Sequence, residues 1–206
     1  MLTRAHEPEG RQDSGKLDDT KVMSRKPRAP ASRARLKPLK PLLSGGDRRS
    51  IAQSSIVREL VRSAPARVAE LAALSSDENW LVSMRALDLM EKVAHERPDS
   101  IQPYKEIFLG PLADSDKWEI RLQIVRALPL LTWTATERAR AIEILRRNVD
   151  YPQTFVRAWA LDSLATFAEG DPRLMSIVRR LLTEFEASGS RALQARARNI
   201  RERLNH

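Results

Sequence analysis

The chain of 206 residues contains no cysteine. That excludes disulfides, thiolate metal sites and cysteine nucleophiles, and it fits a reducing compartment. Histidine is almost as scarce, with His6 and His206 at the chain ends and His95 near an expected helix terminus, where an imidazole meets the last carbonyls. The convergent partners of a His-based metal site or a nucleophile–His pair are missing. No apolar run approaches the roughly 18 residues of a membrane span. The first residues include Arg4, His6, Glu7 and Glu9 and no apolar segment of a secretory signal. The expectation is a cytoplasmic protein with no metal, no cofactor and no assigned catalytic residue. Glycine is also withheld: beyond position 46 only Gly110, Gly170 and Gly189 occur, each between helical patterns, as for C-caps and turns.

What is present is repetition. One helical segment runs from Asn79-Trp80 to Val93-Ala94, again from Lys117-Trp118-Glu119-Ile120-Arg121 to Leu131, and again from Thr154-Phe155-Val156-Arg157 to Phe167-Ala168. Trp80, Trp118 and Thr154 share a register, at spacings of 38 and 36 residues. A purely helical repeat of this period indicates a solenoid, each unit burying its apolar face against its neighbours. Ile142, Leu145 and Val149 map onto Val178, Leu181 and Phe185 at the same offset of 36, so the repeating unit is a helix pair. Helices are predicted over 48–62, 65–75, 77–96, 101–109, 116–131, 134–149, 152–168, 171–187 and 190–204. Asp116 with Glu119 and Thr134 with Glu137 have capping-box spacing. Asp171-Pro172 opens a helix, Gly110-Pro111 closes one through a left-handed glycine, and Pro129 is expected to kink its helix. The last helix carries Arg191, Arg196, Arg198, Arg201 and Arg203, as a terminal cap facing water should.

The net charge of +9 is unevenly placed, with +7 in residues 1–50 and +2 in the rest. Between Lys21 and Lys40 eight basic residues (Lys21, Arg25, Lys26, Arg28, Arg33, Arg35, Lys37 and Lys40) meet no acidic one, and prolines punctuate the run. Residues 1–46 are therefore expected to be a disordered basic arm, and 47–206 the repeat domain. Each arm cation is able to neutralise a phosphate without reading sequence, or to contact an acidic protein or membrane surface.

Antiparallel helix pairs of this length resemble HEAT repeats. The likeness lies in the Ile120-Arg121 and Val156-Arg157 steps, in Asp116 and Asp150 shortly before them, and in Pro129. The first copy has Ser83 in place of the arginine, with Arg85 two positions on. The stretch Gly45-Gly46-Asp47-Arg48-Arg49-Ser50, with Arg157-Ala158-Trp159-Ala160-Leu161 and Ala195-Arg196-Ala197-Arg198, is similar to a group of uncharacterised bacterial HEAT-repeat proteins. The fold class is thus all-α: a HEAT-like α-solenoid of antiparallel helix pairs, about four repeats and a terminal helix. The resemblance implies that the second helix of each pair lines the concave face. Lys105, Arg140, Arg147 and Arg179 then form a candidate basic stripe there, against a solvated face in which Glu143 pairs with Arg140 or Arg147. The matched Trp80 and Trp118 are expected to pack between repeats. Trp159 aligns with Gln123 and Arg85, a polar position, and is expected to be exposed, which makes it a fifth candidate contact on the concave face.

Two functions follow. The first is a non-enzymatic scaffold or adaptor that binds a protein partner through the stack, with the arm as an electrostatic tether for acidic partners or nucleic acid. The second resembles the HEAT-like alkylpurine DNA glycosylases, which carry Trp, Arg and a catalytic Asp on a basic concave face. These residue types are present, but no stretch matches a catalytic motif of that family, so no catalytic residue is carried over. Oligomeric state is not written in the sequence.

Overall fold

A computed structural model describes residues 37–205. In chain order the α-helices are α1 (Lys40–Leu43), α2 (Ser54–Ser63), α3 (Val68–Leu74), α4 (Trp80–Glu96), α5 (Pro98–Ile101), α6 (Glu106–Leu109), α7 (Trp118–Ala127), α8 (Ala135–Val149), α9 (Thr154–Phe167), α10 (Pro172–Glu186) and α11 (Arg191–Leu204). Among the described residues there is no strand, and no helix is long and apolar enough to cross a membrane.

Local chemistry sets the helix ends. The Thr134 hydroxyl accepts from Glu137 N–H while the Glu137 carboxylate accepts from Thr134 N–H, completing the expected box at the start of α8. The Asp171 side chain accepts from Leu174 N–H at the start of α10, and Asn79 and Ser190 cap α4 and α11 in the same way. Gly170 holds φ +76°, the left-handed turn that closes α9 against α10.

Four expectations change. Asp116 caps nothing: Lys117 occupies the N-cap of α7, and Asp116 pairs instead with the Lys117 ammonium at 2.9 Å. Pro129 does not kink a continuing helix. Because it lacks an N–H and crowds the preceding turn, α7 stops at Ala127 and passes into a 3₁₀ turn over Leu128–Leu130. The helix expected over 101–109 is broken by Pro103 into α5, a 3₁₀ turn and α6. Gly110, which ends it, is extended (φ −83°, ψ −166°) rather than left-handed.

The folded body also begins earlier than position 47. Leu39 and Leu43 are completely buried, and Lys40 reaches Asp77 at 2.7 Å. The boundary shifts because Leu39, Leu42 and Leu43 give a proline-rich basic run an apolar face, enough to seat one turn of helix on the core. Lys37 and Lys40 thus belong to the body, whereas Lys21, Arg25, Lys26, Arg28, Arg33 and Arg35 lie outside the described residues.

The helices form two layers. α4, α7, α9 and α11 pack side by side in succession, and α3, α8 and α10 pack across them. One hydrophobic core runs between the layers, from Leu39 and Leu43 through Met90, Ile124, Leu161 and Leu164 to Phe185 and Ile200. In the first layer small residues (Ala86, Ala127, Ala160 and Ala197, all buried) let the helices approach closely. The second layer gapes: a groove of about 470 Å³ separates α8 from α10, floored by Ile142, Val149, Ile177 and Leu181.

Candidate binding face

The repeat register places Ser83, Arg121 and Arg157 at one position, and all three perform the same task. Each donates to a backbone carbonyl of the turn before its helix: Ser83 Oγ to Ser75 (2.6 Å), Arg121 Nε to Ser115 (2.6 Å) and Arg157 Nε to Val149 (2.8 Å). The arginine step therefore ties turn to helix, and Arg121 approaches a carboxylate only at 4.0 Å, from Asp114. Its guanidinium also lies 4.6 Å from the Tyr151 ring, and that of Arg157 lies 5.2 Å from Phe185. These residues build the stack rather than a site.

Arg85, two positions beyond Ser83, is 2 % exposed. All five of its N–H groups donate to carbonyls of one loop: Leu43 (2.6 Å), Gly45 (2.9 Å), Asp47 (2.9 Å) and Ser50 twice (3.0 and 2.7 Å). That segment runs from the end of α1 through the Gly45–Ser50 stretch. Gly46 (φ +67°) is required there, because a Cβ would stand 2.7 Å from Ser50 Oγ. The same register position holds Gln123, Trp159 and Arg196 in later copies, so one column of the first layer is polar throughout.

Along that column the first layer presents a charged and aromatic face. The Trp159 ring lies 4.9 Å from the Arg126 guanidinium and 4.0 Å from that of Arg196. Asp162, one turn on, accepts from Arg196 (2.6 Å) and is ion-paired with Arg203 (2.7 Å), which clamps α11 to α9. Glu91 on α4, fully buried, is ion-paired with Arg126 Nη2 at 2.8 Å and faces His95 Nε2 at 3.0 Å. These residues, Arg196 excepted, line a pocket of about 200 Å³ with Pro129, Leu130, Ser163 and Thr166. Two buried atoms there have no hydrogen-bond partner, Glu91 Oε2 and Arg126 Nε. Gln123 Oε1, one turn earlier on α7, is a third.

Trp159 is therefore a half-buried ring flanked by two guanidinium groups, not the exposed aromatic expected. The sequence showed its polar column but not its neighbours, which come from helices one repeat away on either side. Trp80 and Trp118 do bridge repeats: Lys117 Nζ lies 6.0 Å from the Trp80 ring, and Trp118 stacks on Phe155 at 6.4 Å. Phe155 remains 57 % exposed.

The basic stripe is not assembled as a set of free cations. Lys105 is tied to Glu137 at 2.6 Å and lies 5.7 Å from the Trp133 ring. Its ammonium is the main reason the Glu137 carboxyl falls from its ordinary 4.5 to about 2, with the Thr134 N–H second. Arg147 pairs with Glu143 (3.0 Å) and Asp114 (3.1 Å). Arg140 and Arg179 are exposed on α8 and α10, and neither lines the groove between those helices. All four lie on the gaping second layer, and none lines the Trp159 pocket. Among the described residues, no group of three or more His, Asp or Glu is placed to hold a metal ion.

The architecture has known counterparts. The chain is similar to a designed armadillo repeat protein solved in complex with the peptide (KR)4, with TM-score 0.57, 16 % identity and coverage of 80 % of each chain. It is similar to a second designed armadillo repeat protein (TM-score 0.55, 18 % identity, 82 % of this chain and 81 % of that one). An engineered protein also matches, at TM-score 0.54 and 19 % identity over 77 % of this chain and 74 % of that one. The fold is an armadillo-like helical solenoid. At these identities the likeness establishes the fold alone. No protein-family model matches the chain, and no curated protein matches it in sequence.

Proposed function

We propose that the protein is a non-enzymatic scaffold that binds an extended segment of a protein partner along the face of α4, α7, α9 and α11. One observation carries this reading. The Arg126–Trp159–Arg196 stack, with Glu91 and Asp162, forms one polar and aromatic surface contributed by all four helices. An extended chain crossing stacked helices meets equivalent positions at regular intervals, the arrangement a solenoid offers and a deep cleft does not. The similarity to a designed protein solved with a bound peptide supports the reading. The basic arm serves as an electrostatic tether to an acidic partner or nucleic acid, and the setting is cytoplasmic.

Selection from a displayed peptide library on the full chain tests the proposal. The selected peptide should lose about tenfold or more in affinity on Trp159→Ala, since aromatic anchors dominate such interfaces. Binding unaffected by Trp159→Ala would overturn the choice of face, and retention of duplex DNA by the repeat body with release of a damaged base would replace this reading with the glycosylase-like one.

A further inference from the structure

Among the described residues three large apolar side chains are exposed: Ile51, Ile56 and Phe155. Phe155 alone of these belongs to the four helices of the proposed face, one turn before Trp159 on α9. Its ring stacks on that of Trp118 from α7, at 6.4 Å and an interplanar angle of 22°, so two repeats build one aromatic platform. The repeat register gives the platform its neighbours. The position of Phe155 is held by Glu119 on α7 and by Arg191 on α11, each 36 residues away, and the three helices pack side by side. The Glu119 side chain is 13 % exposed and approaches Arg48 at 4.0 Å. Arg191 is exposed on the side of α11 turned away from its buried stripe of Leu193, Ala197 and Ile200. Elsewhere on that helix Arg196 and Arg203 meet Asp162, and Arg201 meets Glu186. Arg191 has no ion-pair partner among the described residues. Charge therefore changes sign along this row, with a carboxylate on one side of the aromatic pair and an unpaired guanidinium on the other.

That sign change selects the occupant. A nucleic acid crossing the helices would set phosphates against Glu119 as well as Arg191, and would gain from only one of them. A polypeptide is able to place one carboxylate at Arg191 and none at Glu119. Spacing adds a further condition. Packed helices stand about 8–10 Å apart. A polyproline-II chain rises about 3.1 Å per residue with three residues per turn, so side chains three apart share a face at about 9 Å. A strand repeats its face at about 7 or 13 Å, which misses the step. We infer that the partner segment is an extended, polyproline-II-like stretch with an aromatic or leucine-sized side chain seated on the Trp118–Phe155 pair. Three residues away, on the α11 side, an Asp or Glu of the same segment pairs with Arg191. The inference rests on the binding face proposed above, and it adds the chemistry and polarity of the segment that the face takes.

Random dodecapeptides displayed on phage and selected on the full chain test this, with affinities of the selected peptides read by fluorescence anisotropy. The peptides should share an aromatic or leucine residue three positions from an Asp or Glu, in one order throughout. Phe155→Ala should weaken binding about tenfold. Arg191→Glu should weaken it roughly fivefold or more, and replacing the peptide's acid by Lys should restore affinity for that variant. Arg140→Glu, the same charge change on α8, should leave affinity unaltered. Phe155, Arg191 and Arg140 are all exposed, and melting curves verify that each variant is folded. Equal losses for Arg191→Glu and Arg140→Glu would reduce the effect to net charge and overturn the inference. Displacement of the peptide by a single-stranded oligothymidylate, with quenching of tryptophan fluorescence that Phe155→Ala abolishes, would assign the platform to nucleic acid instead. A peptide lost on Trp159→Ala but indifferent to Phe155→Ala and Arg191→Glu would leave the scaffold reading standing and remove this subsite.

Discussion

Arg85 illustrates how one residue fixes the beginning of the body. A buried guanidinium without an ion-pair partner is tolerable only because four carbonyls, that of Ser50 twice, replace its water. Arg85→Ala should therefore destabilise by about 2–4 kcal/mol in urea, since it strands those carbonyls, whereas exposed Arg140→Ala should stay within about 0.5 kcal/mol. Equal effects would mean that the clasp is not closed. Glu137 gives a second reading at this scale. Its folded value of about 2 lies below the ordinary 4.5, so its stabilisation is complete above 4.5 and disappears as pH falls through about 2. Lys105→Met should raise the Glu137 midpoint toward 4.5 in an NMR carboxyl titration, and an unmoved midpoint would contradict the pairing. Neither residue was marked by the sequence as important in this way. Arg85 stood out only as a departure from the repeat, and Lys105 as a member of a stripe. Their partners, the Gly45–Ser50 carbonyls and Glu137, are about 30 to 40 positions away, beyond any local pattern.

At the scale of the helix, period and caps carry most of the information. The positions of α8 to α11 were legible to within two residues, because amphipathic spacing, the Thr134–Glu137 box and the Asp171-Pro172 start all agree there. Legibility was lost where proline acts. Pro103 and Pro129 each replace helix by a 3₁₀ turn, and apolar spacing alone does not register that exchange. Between α4 and α8 the second layer consequently consists of short pieces. The core between the layers depends on residues such as Leu164, which is completely buried. Leu164→Ala should lower unfolding free energy by about 2–5 kcal/mol by opening a cavity. Arg203→Ala, although on the terminal helix, removes its contact with Asp162 and should cost up to about 1 kcal/mol. A Leu164→Ala effect no larger than that of Arg203→Ala would show that the layers are misregistered.

For the whole molecule, the sequence conveyed a helical solenoid, but not which layer bears the proposed recognition face. That choice depends on how closely successive helices approach, and the approach is set by Ala86, Ala127, Ala160 and Ala197 acting together across repeats. The boundary of the arm has a direct consequence. Removing residues 1–36 should leave the melting temperature unchanged, whereas removing 1–45 should lower it, because Leu39, Leu43 and two of the Arg85 acceptors, the Leu43 and Gly45 carbonyls, go with it. Identical melting curves for the two truncations would place the boundary back at position 46. Any affinity of the full chain for duplex DNA should fall with salt, at a log–log slope of about −0.9 per phosphate neutralised, and should vanish in the 37–206 protein.

The central claim is that recognition belongs to the tight layer, and hydrogen–deuterium exchange on the complex with a library-selected peptide tests it most directly. Protection should appear along α4, α7, α9 and α11 around Glu91, Arg126, Trp159 and Asp162, with α8 and α10 unchanged. Protection confined to the groove between α8 and α10, around Ile142 and Ile177, would contradict the account.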